Sequence, residues 1–531
     1  MNLLSSIGKL LFFSGLLAFL LSLGTGSFQL TQETAFDELE RLHLEDGRSY
    51  YTVLEPELKS LYGKEFSSRY SFLKAYRESV SRTQAELKKQ GGPSIKDDRA
   101  VMILKRSTVG LLRNEMAFAF VFALVFLLMP LGALFMFLAK YKSPIGGIRH
   151  NGIFHQSITS RGWIGIFVGS LLIGFYIVLY FFPELLTNWM LLADPVKRLF
   201  LPGAQADQWF LYGLMYCMAM VVMGIRMYMK YRGNRYQMFR TSSVLFFQLC
   251  FAFALPEILA AFNQPAVDLK HIWPLNYGYF DGGNISSMYS YGNIGMTMFW
   301  WGALLFLIGV PLFTYFFGKR WYCSWVCGCG GLAETAGDSF RQLSDKSLRA
   351  WRVERIMIHA VLVFAVIMTL LVLCTYWGIG NSPENPDSVF GISSGTVKLI
   401  YGFLIGSIFS GVVGTGFYPL MGNRVWCRFG CPLAAYIGLF QRKKSRFRIT
   451  TNGGQCISCG NCSTYCEMGI DVRAYAQKGQ NIVRSSCVGC GVCSAVCPRG
   501  VLRLENGPEE TRLQEEPIVI GHDSVRLNEK L

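Results

Sequence analysis

Charged residues are scarce in this sequence: they make up 16% of its 531 residues, whereas hydrophobic residues make up 51%. This composition excludes an ordinary soluble globular protein and indicates a membrane protein. Apolar runs long enough to cross a bilayer core, which takes about 20 residues, lie near residues 7–26, 115–139, 162–183, 209–229, 241–262, 295–317, 356–378 and 399–421. We therefore predict a mostly α-helical integral membrane protein with about eight transmembrane helices.

Histidine is also rare, with 6 residues in the chain, and only His359 lies in a predicted span. Because a membrane cytochrome holds its haem by paired axial ligands, no haem is expected. Residues 1–27 are predicted to form a signal anchor or first transmembrane helix, with a cleaved signal peptide as the alternative. Residues 28–114 lack a glycine-rich phosphate loop and a nucleophile motif, and their apolar residues recur at helical spacing. We expect a small, mostly helical docking or stabilising domain there.

Cysteine is absent from residues 28–114 and from the connections that follow residues 183, 262 and 378. Those connections are also poor in lysine and arginine, which collect in the intervening connections and in "QRKKSRFR" behind the last span. Positive residues mark the cytoplasmic side, so we predict a multi-pass protein of the bacterial inner membrane with its C-terminal region in the cytoplasm. The net charge of +16 mostly reflects this bias and requires no nucleic-acid partner; contact with anionic lipid is a minor alternative.

Of the 16 cysteines, 13 lie on the predicted inner side. Disulfides are rare in a reducing cytosol, so this distribution favours metal binding or redox chemistry. The isolated cysteines within spans, Cys217, Cys250 and Cys374, are expected to pack as small apolar side chains. Two charged residues within spans are functional candidates: Glu257 as a proton or quinone contact, and Arg226, for which snorkelling to the inner surface is the alternative.

An internal repeat stands at the inner ends of two predicted spans. "GKRWYCSWVCG", residues 318–328, aligns with "GNRVWCRFGCP", residues 422–432. Each copy contains a C-x3-C element, Cys323 with Cys327 and Cys427 with Cys431, within a predicted membrane core of residues 115–442. On a helix, residues four apart share a face, so each pair is expected to direct both sulfurs at one partner. The third cysteine of the first copy, Cys329, aligns with Leu433 and has no counterpart.

The sequence alone leaves the chemistry of these four cysteines open. They are predicted as a working site, either binding a metal or a further cluster or cycling between dithiol and disulfide. The alternative is that they are small buried side chains without a function.

The strongest motif occurs twice within residues 443–507, where "CISCGNCSTYC" and "CVGCGVCSAVC" each have the spacing C-x2-C-x2-C-x3-C. This spacing binds 4Fe-4S clusters, and in two-cluster ferredoxins the fourth cysteine of each run ligates the other cluster. The expected ligands are Cys456, Cys459, Cys462 and Cys497 for one cluster, and Cys487, Cys490, Cys493 and Cys466 for the other. Zinc is the alternative for C-x2-C pairs, and two complete runs disfavour it. The remaining residues, 508–531, are expected to form a flexible tail.

The first run has Glu467 after its last cysteine, where proline is usual. An added negative charge there would lower the potential of the nearer cluster; a surface glutamate without effect is the alternative.

A multispan core with two C-x3-C elements, followed by a ferredoxin-like α+β domain with two clusters, resembles the membrane polyferredoxins of the NosR/NapH type, with the oxidase accessory protein CcoG as a cousin. The resemblance covers residues 295–507. Some members carry an external flavin domain with a modified threonine, but residues 28–114 lack that motif, so no flavin is expected.

The resemblance implies a membrane-bound protein that relays electrons between a quinone pool or a cytoplasmic donor and a partner redox enzyme. An assembly factor that reduces a metal or thiol during maturation of a respiratory oxidase or reductase is the alternative. A subunit of a larger respiratory complex with structural clusters is a third.

Overall fold

The computed structural model describes residues 2–46, 50–66, 68–89, 97–141, 162–382, 385–507, 520–521 and 524–525. The predicted flexible tail, 508–531, lies almost wholly outside the described residues. The chain divides into two compact units: Met1–Ser143 with Phe175–Val222, and Pro144–Gly174 with Met223–Leu531.

In the first unit, the helix Asn2–Gly24 packs closely against the helix Met129–Tyr141. Glycines permit this approach, since a Cβ added at Gly8 would lie 2.8 Å from the carbonyl oxygen of Gly132. Between residues 28 and 108 the described part of the chain forms four helices: Gln32–Asp46, Tyr50–Lys59, Arg69–Lys89 and Asp97–Arg106. They enclose a small apolar core that includes Leu39 and Phe72. The strands Ser27–Phe28 and Thr108–Val109 pair antiparallel and bring the ends of this segment together.

Seven helices of the described residues are long and apolar enough to cross a membrane: Leu3–Gly24, Glu115–Tyr141, Gln208–Tyr231, Arg235–Ala261, Gly292–Phe317, Leu348–Tyr376 and Ser394–Gly416. Several contain a π-helical stretch, for example residues 247–254 and 402–413. The predicted span at 162–183 differs, because the helix Gly165–Phe181 is followed by Pro183–Phe200 at an angle of 109°. Proline at the start of a new helix is well placed there, but it breaks the preceding one. The chain is thus mostly helical, with an eighth span only if this bent pair counts as one.

Short elements follow the spans Gly292–Phe317 and Ser394–Gly416 and position the cysteines. They are the helices Arg320–Cys323, Gly328–Glu334, Tyr418–Met421 and Pro432–Lys444, with a π-turn at Trp426–Gly430. Other short elements are the helix Gly282–Ser290 and a three-stranded sheet of Asn381–Ser382, Asn385–Val389 and Ile392–Ser393.

The C-terminal part has a ferredoxin-like arrangement. The strands Phe447–Thr451 and Leu502–Asn506 pair antiparallel, with Phe447 opposite Asn506. Between them lie the short helices Asn461–Thr464, Val472–Gln477 and Val492–Ala495. This ribbon joins the two ends of the segment and leaves both cysteine runs folded against each other in between.

Candidate iron–sulfur sites

Two cavities in the C-terminal part are each lined by four cysteines, and each combines three cysteines of one run with the last cysteine of the other. One cavity, of about 360 Å³ with its open mouth included, is lined by the first ferredoxin set: Cys456, Cys459, Cys462 and Cys497. The other, of about 370 Å³ on the same measure, is lined by the second ferredoxin set: Cys466, Cys487, Cys490 and Cys493. The structure thus brings together the two crossed sets that the spacing predicts.

The chemistry of these thiols fits a polynuclear iron–sulfur centre. Burial, together with the other three cysteines of its set, raises the pKa of Cys462 to about 12. Thiols in such surroundings stay protonated unless a metal displaces the proton. Among the described residues, no three His, Cys, Asp or Glu side chains are arranged around a single metal ion. A cubane binds one thiolate at each of its irons, so its ligands lie farther apart than those of one ion.

The backbone of both runs turns at equivalent positions. Ser458 and Gly489 have φ of 58° and 64°, and Gly460 and Gly491 have φ of 79° and 73°. This left-handed conformation favours glycine and costs a serine free energy. In the second set, the backbone N–H of Ile470 also donates to the sulfur of Cys466 at 3.3 Å.

The loop that carries most of the second ferredoxin set is bonded to the elements behind the membrane spans. Gln441 Nε2 donates to the carbonyl oxygen of Cys487 at 2.7 Å, and the Ser324 hydroxyl donates to that of Val488 at 2.8 Å. The Tyr236 hydroxyl donates to the carbonyl oxygen of Gly489 at 2.7 Å. By contrast, Cys459 of the first set is exposed. The second set is therefore the one next to the spans.

The two C-x3-C elements follow one backbone path. Gly318 and Gly422, which end the preceding helices, have φ of 65° and 91°. The Cys327 N–H donates to the carbonyl oxygen of Tyr322 at 2.8 Å, and the Cys431 N–H donates to that of Trp426 at 2.9 Å. Cys327 and Cys431 then each cap the next helix with extended backbone. Because the chain breaks between the two cysteines of each pair, the expectation that they share one helix face is wrong.

The four sulfurs nevertheless form one group. Cys323, Cys327, Cys427 and Cys431, here called the boundary set, are all buried in the same apolar cluster. Burial raises the pKa of Cys431 well above its usual range, and the other three thiols of the set raise it further. Cys329 joins them through a hydrogen bond with Cys327. Sequence comparison missed Cys329 because the second copy has leucine there.

A buried network of charges links the boundary set to the second ferredoxin set. Arg424 Nη1 lies 3.7 Å from the sulfur of Cys427, and its Nη2 lies 3.1 Å from Glu467 Oε1. Arg341 Nη1 lies 2.9 Å from Glu467 Oε2 and 3.8 Å from the sulfur of Cys490. Glu467 is only 1% exposed, so the alternative of a surface glutamate is wrong. Its charge is balanced locally by two guanidinium groups, which sequence reasoning did not anticipate.

The other candidates occupy varied positions. Arg226 is buried, with Nη1 3.8 Å from Asp338 Oδ2, so it does not snorkel to a surface. Cys217 is buried and Cys374 is half-buried, whereas Cys250 is exposed, so the expected core packing is wrong for Cys250. Glu257 is half-buried.

Comparisons with known proteins identify the same regions. A family described as "4Fe-4S dicluster domain" matches residues 448–498, and one described as "4Fe-4S binding domain" matches twice, at 299–347 and 401–450. The second family therefore covers both C-x3-C elements. These matches define a protein with 4Fe-4S ferredoxin domains and are consistent with two 4Fe-4S clusters.

Three curated relatives are similar to part of this chain. The methylamine utilization ferredoxin-type protein MauN of Methylobacillus flagellatus is 29% identical over 165 residues, covering 31% of this chain and 54% of the relative. YccM of Escherichia coli K12, named as an electron transport protein, is 29% identical over 182 residues, covering 32% and 47%. MauN of Paracoccus denitrificans is 28% identical over 195 residues, covering 35% and 60%. The chain thus spans about half the length of the curated relatives it matches. No solved structure matches the chain significantly.

Proposed function

We propose that this chain is a membrane-bound iron–sulfur electron-transfer protein of the NosR/NapH type, which relays electrons between a quinone pool or a cytoplasmic donor and a partner redox enzyme. The two cavities lined by crossed sets of four cysteines carry this proposal. The similarity to ferredoxin-type proteins and to YccM supports it. When bound, 4Fe-4S clusters supply one-electron carriers at the two sets.

The residues around each set suit different tasks. The second ferredoxin set is held by hydrogen bonds from Ser324, Gln441 and Tyr236, which belong to the membrane-spanning helices or to the short elements that follow them. This support suits exchange with the membrane side. The first ferredoxin set has an exposed thiol, Cys459, beside the exposed side chain of Ile457. That position suits contact with a soluble redox partner.

We further propose that the boundary set is redox-active and holds a third iron–sulfur centre. Both C-x3-C elements fall within the matched 4Fe-4S binding family, and their four thiols are buried together. The guanidinium of Arg424 lies against the sulfur of Cys427 and would compensate negative charge on bound thiolates.

Iron and sulfide analysis of anaerobically purified protein tests both proposals, alongside EPR. We expect roughly twelve irons per chain for three cubanes, and a fall of roughly four in Cys427→Ala. Roughly eight irons in the wild type would contradict the third centre but leave the two ferredoxin sets intact. Loss of iron from a Cys459→Ala variant tests the first ferredoxin set separately.

The assembly role that the sequence leaves open makes a different prediction for Cys427→Ala. If the chain relays electrons, the partner enzyme stays fully metallated but receives no electrons. A partner purified without its metal from the Cys427→Ala strain would instead contradict the relay and favour assembly.

A further inference from the structure

A cavity of about 880 Å³, its open mouth included, lies beside the N-terminal turns of the helix Leu348–Tyr376. One wall consists of residues that share a face of this helix: Trp351, Arg355, Ile358 and His359. Small residues of the helix Pro432–Lys444 also line the cavity: Ala434, Ala435 and Gly438. We call this space the basic cavity.

The basic cavity is strongly cationic. Its positive side chains are Lys319, Arg355, Arg428, Arg442 and Arg484. Among the described residues of its lining, Glu354 is the one carboxylate. Glu354 already accepts from Arg428 Nε at 2.6 Å and from the Ser486 hydroxyl. The lining therefore carries a surplus of positive charge that its own groups do not balance.

Two features indicate that this surplus of positive charge binds an anionic ligand. Arg428 is 2% exposed, and its Nη2 is buried without a hydrogen-bond partner, although its Nε and Nη1 are both bonded. An unsatisfied buried donor on a cation is costly. In addition, the guanidinium groups of Arg355 and Arg484 lie 5.3 and 4.9 Å from the centre of the Trp351 ring. Two cations near one aromatic ring repel each other, and an anion bound beside them would relieve that repulsion.

We propose that the basic cavity binds the phosphate group of an anionic phospholipid. Phosphate suits guanidinium donors in charge and geometry. The lipid is favoured over free phosphate because one wall belongs to a membrane-spanning helix and because Ile358, Ala434 and Ala435 add apolar lining. Basic pockets between membrane helices on the cytoplasmic side bind anionic headgroups in this way.

Native mass spectrometry of the full, cluster-loaded chain in mild detergent tests the proposal. Delipidated protein is titrated with phosphatidylglycerol, with phosphatidylcholine, and with phosphatidylglycerol in the presence of excess inorganic phosphate. We expect wild-type protein to retain phosphatidylglycerol but not phosphatidylcholine. In the double variant Arg355→Gln with Arg484→Gln, binding should weaken roughly 25-fold, since each basic residue near a membrane surface contributes roughly fivefold.

Matched variants separate binding from folding. The double variant Lys443→Gln with Lys444→Gln removes two exposed charges from the end of the helix Pro432–Lys444, outside the cavity lining, and should bind like wild type. Replacing Arg355 and Arg484 by lysine should keep most binding, and Ala435→Leu, which narrows the cavity without changing its charge, should weaken it. Iron content monitors folding in each case. Equal binding by the Gln variant, or by phosphatidylcholine, would overturn the proposal. Inorganic phosphate that binds where phosphatidylglycerol does not would overturn the lipid as its source.

Discussion

At the scale of single residues, the two cysteine runs have the same left-handed backbone turn but different residues in it. Ser458 and Gly489 occupy equivalent left-handed turns. Serine is tolerated in the first run, whereas in the second a Cβ at position 489 would lie 2.7 Å from the Cβ of Arg320. Arg320 is itself enclosed by aromatic rings, including Phe447 at 4.7 Å, and has little room to move. Glycine at 489 is thus required by packing as well as by conformation.

We therefore predict that Gly489→Ala destabilises the second ferredoxin set. A suitable control is Gly500→Ala, because Gly500 has φ of 62°, close to the 64° of Gly489, but no atom within reach of an added Cβ. Both variants pay about 1–2 kcal/mol for the left-handed alanine, and only Gly489→Ala meets the clash. EPR and iron content of the purified variants measure the outcome. Equal cluster loss in both would mean that the contact with Arg320 has no effect.

Glu467 supports a second prediction at this scale. Burial raises its pKa, but Arg341, Arg424 and Arg240 together lower it to about 2, so the carboxylate is charged at neutral pH. Removing that charge in Glu467→Gln should raise the potential of the second ferredoxin set by on the order of tens of millivolts, since reduction adds negative charge there. The half-buried Glu505, on a strand, provides the control Glu505→Gln. Redox titration by EPR gives both potentials, and an unmoved potential in Glu467→Gln would contradict the electrostatic account.

The sequence predicts some features of the candidate sites but not others. The crossed sets follow from spacing, because C-x2-C-x2-C fixes three ligands locally and leaves the fourth to the partner run. The burial of Glu467 could not be predicted, because its partners Arg341 and Arg424 come from two distant segments that only the folded chain brings together. Cys329 was missed for a similar reason: it has no counterpart in the repeat, and only its contact with Cys327 reveals it.

At the scale of elements, the sequence shows the repeat of the two C-x3-C elements, but it does not show their backbone geometry. Spacing of four residues predicted a shared helix face, whereas each pair of cysteines spans a break between two helices. Pro432, at the first position of its helix, was a signal of that break. The bend after residue 182 is a similar case. Hydropathy identifies the apolar run, but it gives no information on the direction of the helix axis. Pro183 begins a new helix at 109° to the preceding one.

In the first unit, one buried ion pair fastens the helix Asp97–Arg106 to the helix Thr187–Phe200. Lys105 Nζ lies 2.5 Å from Asp194 Oδ1, and the lysine side chain is 1% exposed. We predict that Lys105→Met lowers the thermal stability of the detergent-solubilised protein, because it leaves a buried carboxylate unpaired at a cost of about 3–5 kcal/mol. Lys59, 3.7 Å from Glu55 and 61% exposed, supplies the control Lys59→Met, with an expected effect under about 1 kcal/mol. Similar melting of both variants would show that the buried pair does not hold the two helices together.

At the scale of the whole molecule, the sequence predicts a division of labour across the membrane. Residues 28–114 contain no cysteine, whereas the boundary set and both ferredoxin sets fall in segments assigned to the inner side. A reducing compartment protects such thiols and their clusters from oxidation. The distribution of lysine and arginine leads to the same orientation without reference to the cysteines.

Labelling of introduced cysteines tests this orientation directly. Ser81, exposed on the helix Arg69–Lys89, and Lys443, exposed behind the last span, are predicted to lie on opposite sides of the membrane. A membrane-impermeant maleimide should therefore modify Ser81→Cys in intact spheroplasts, and Lys443→Cys only after the membrane is permeabilised. The wild-type protein sets the background from its own exposed cysteines, Cys250 within an apolar span and Cys459 in the first ferredoxin set. Labelling of Lys443→Cys in intact spheroplasts would reverse the orientation, and it would place the clusters on the oxidising side, where the proposed exchange with a cytoplasmic donor could not occur.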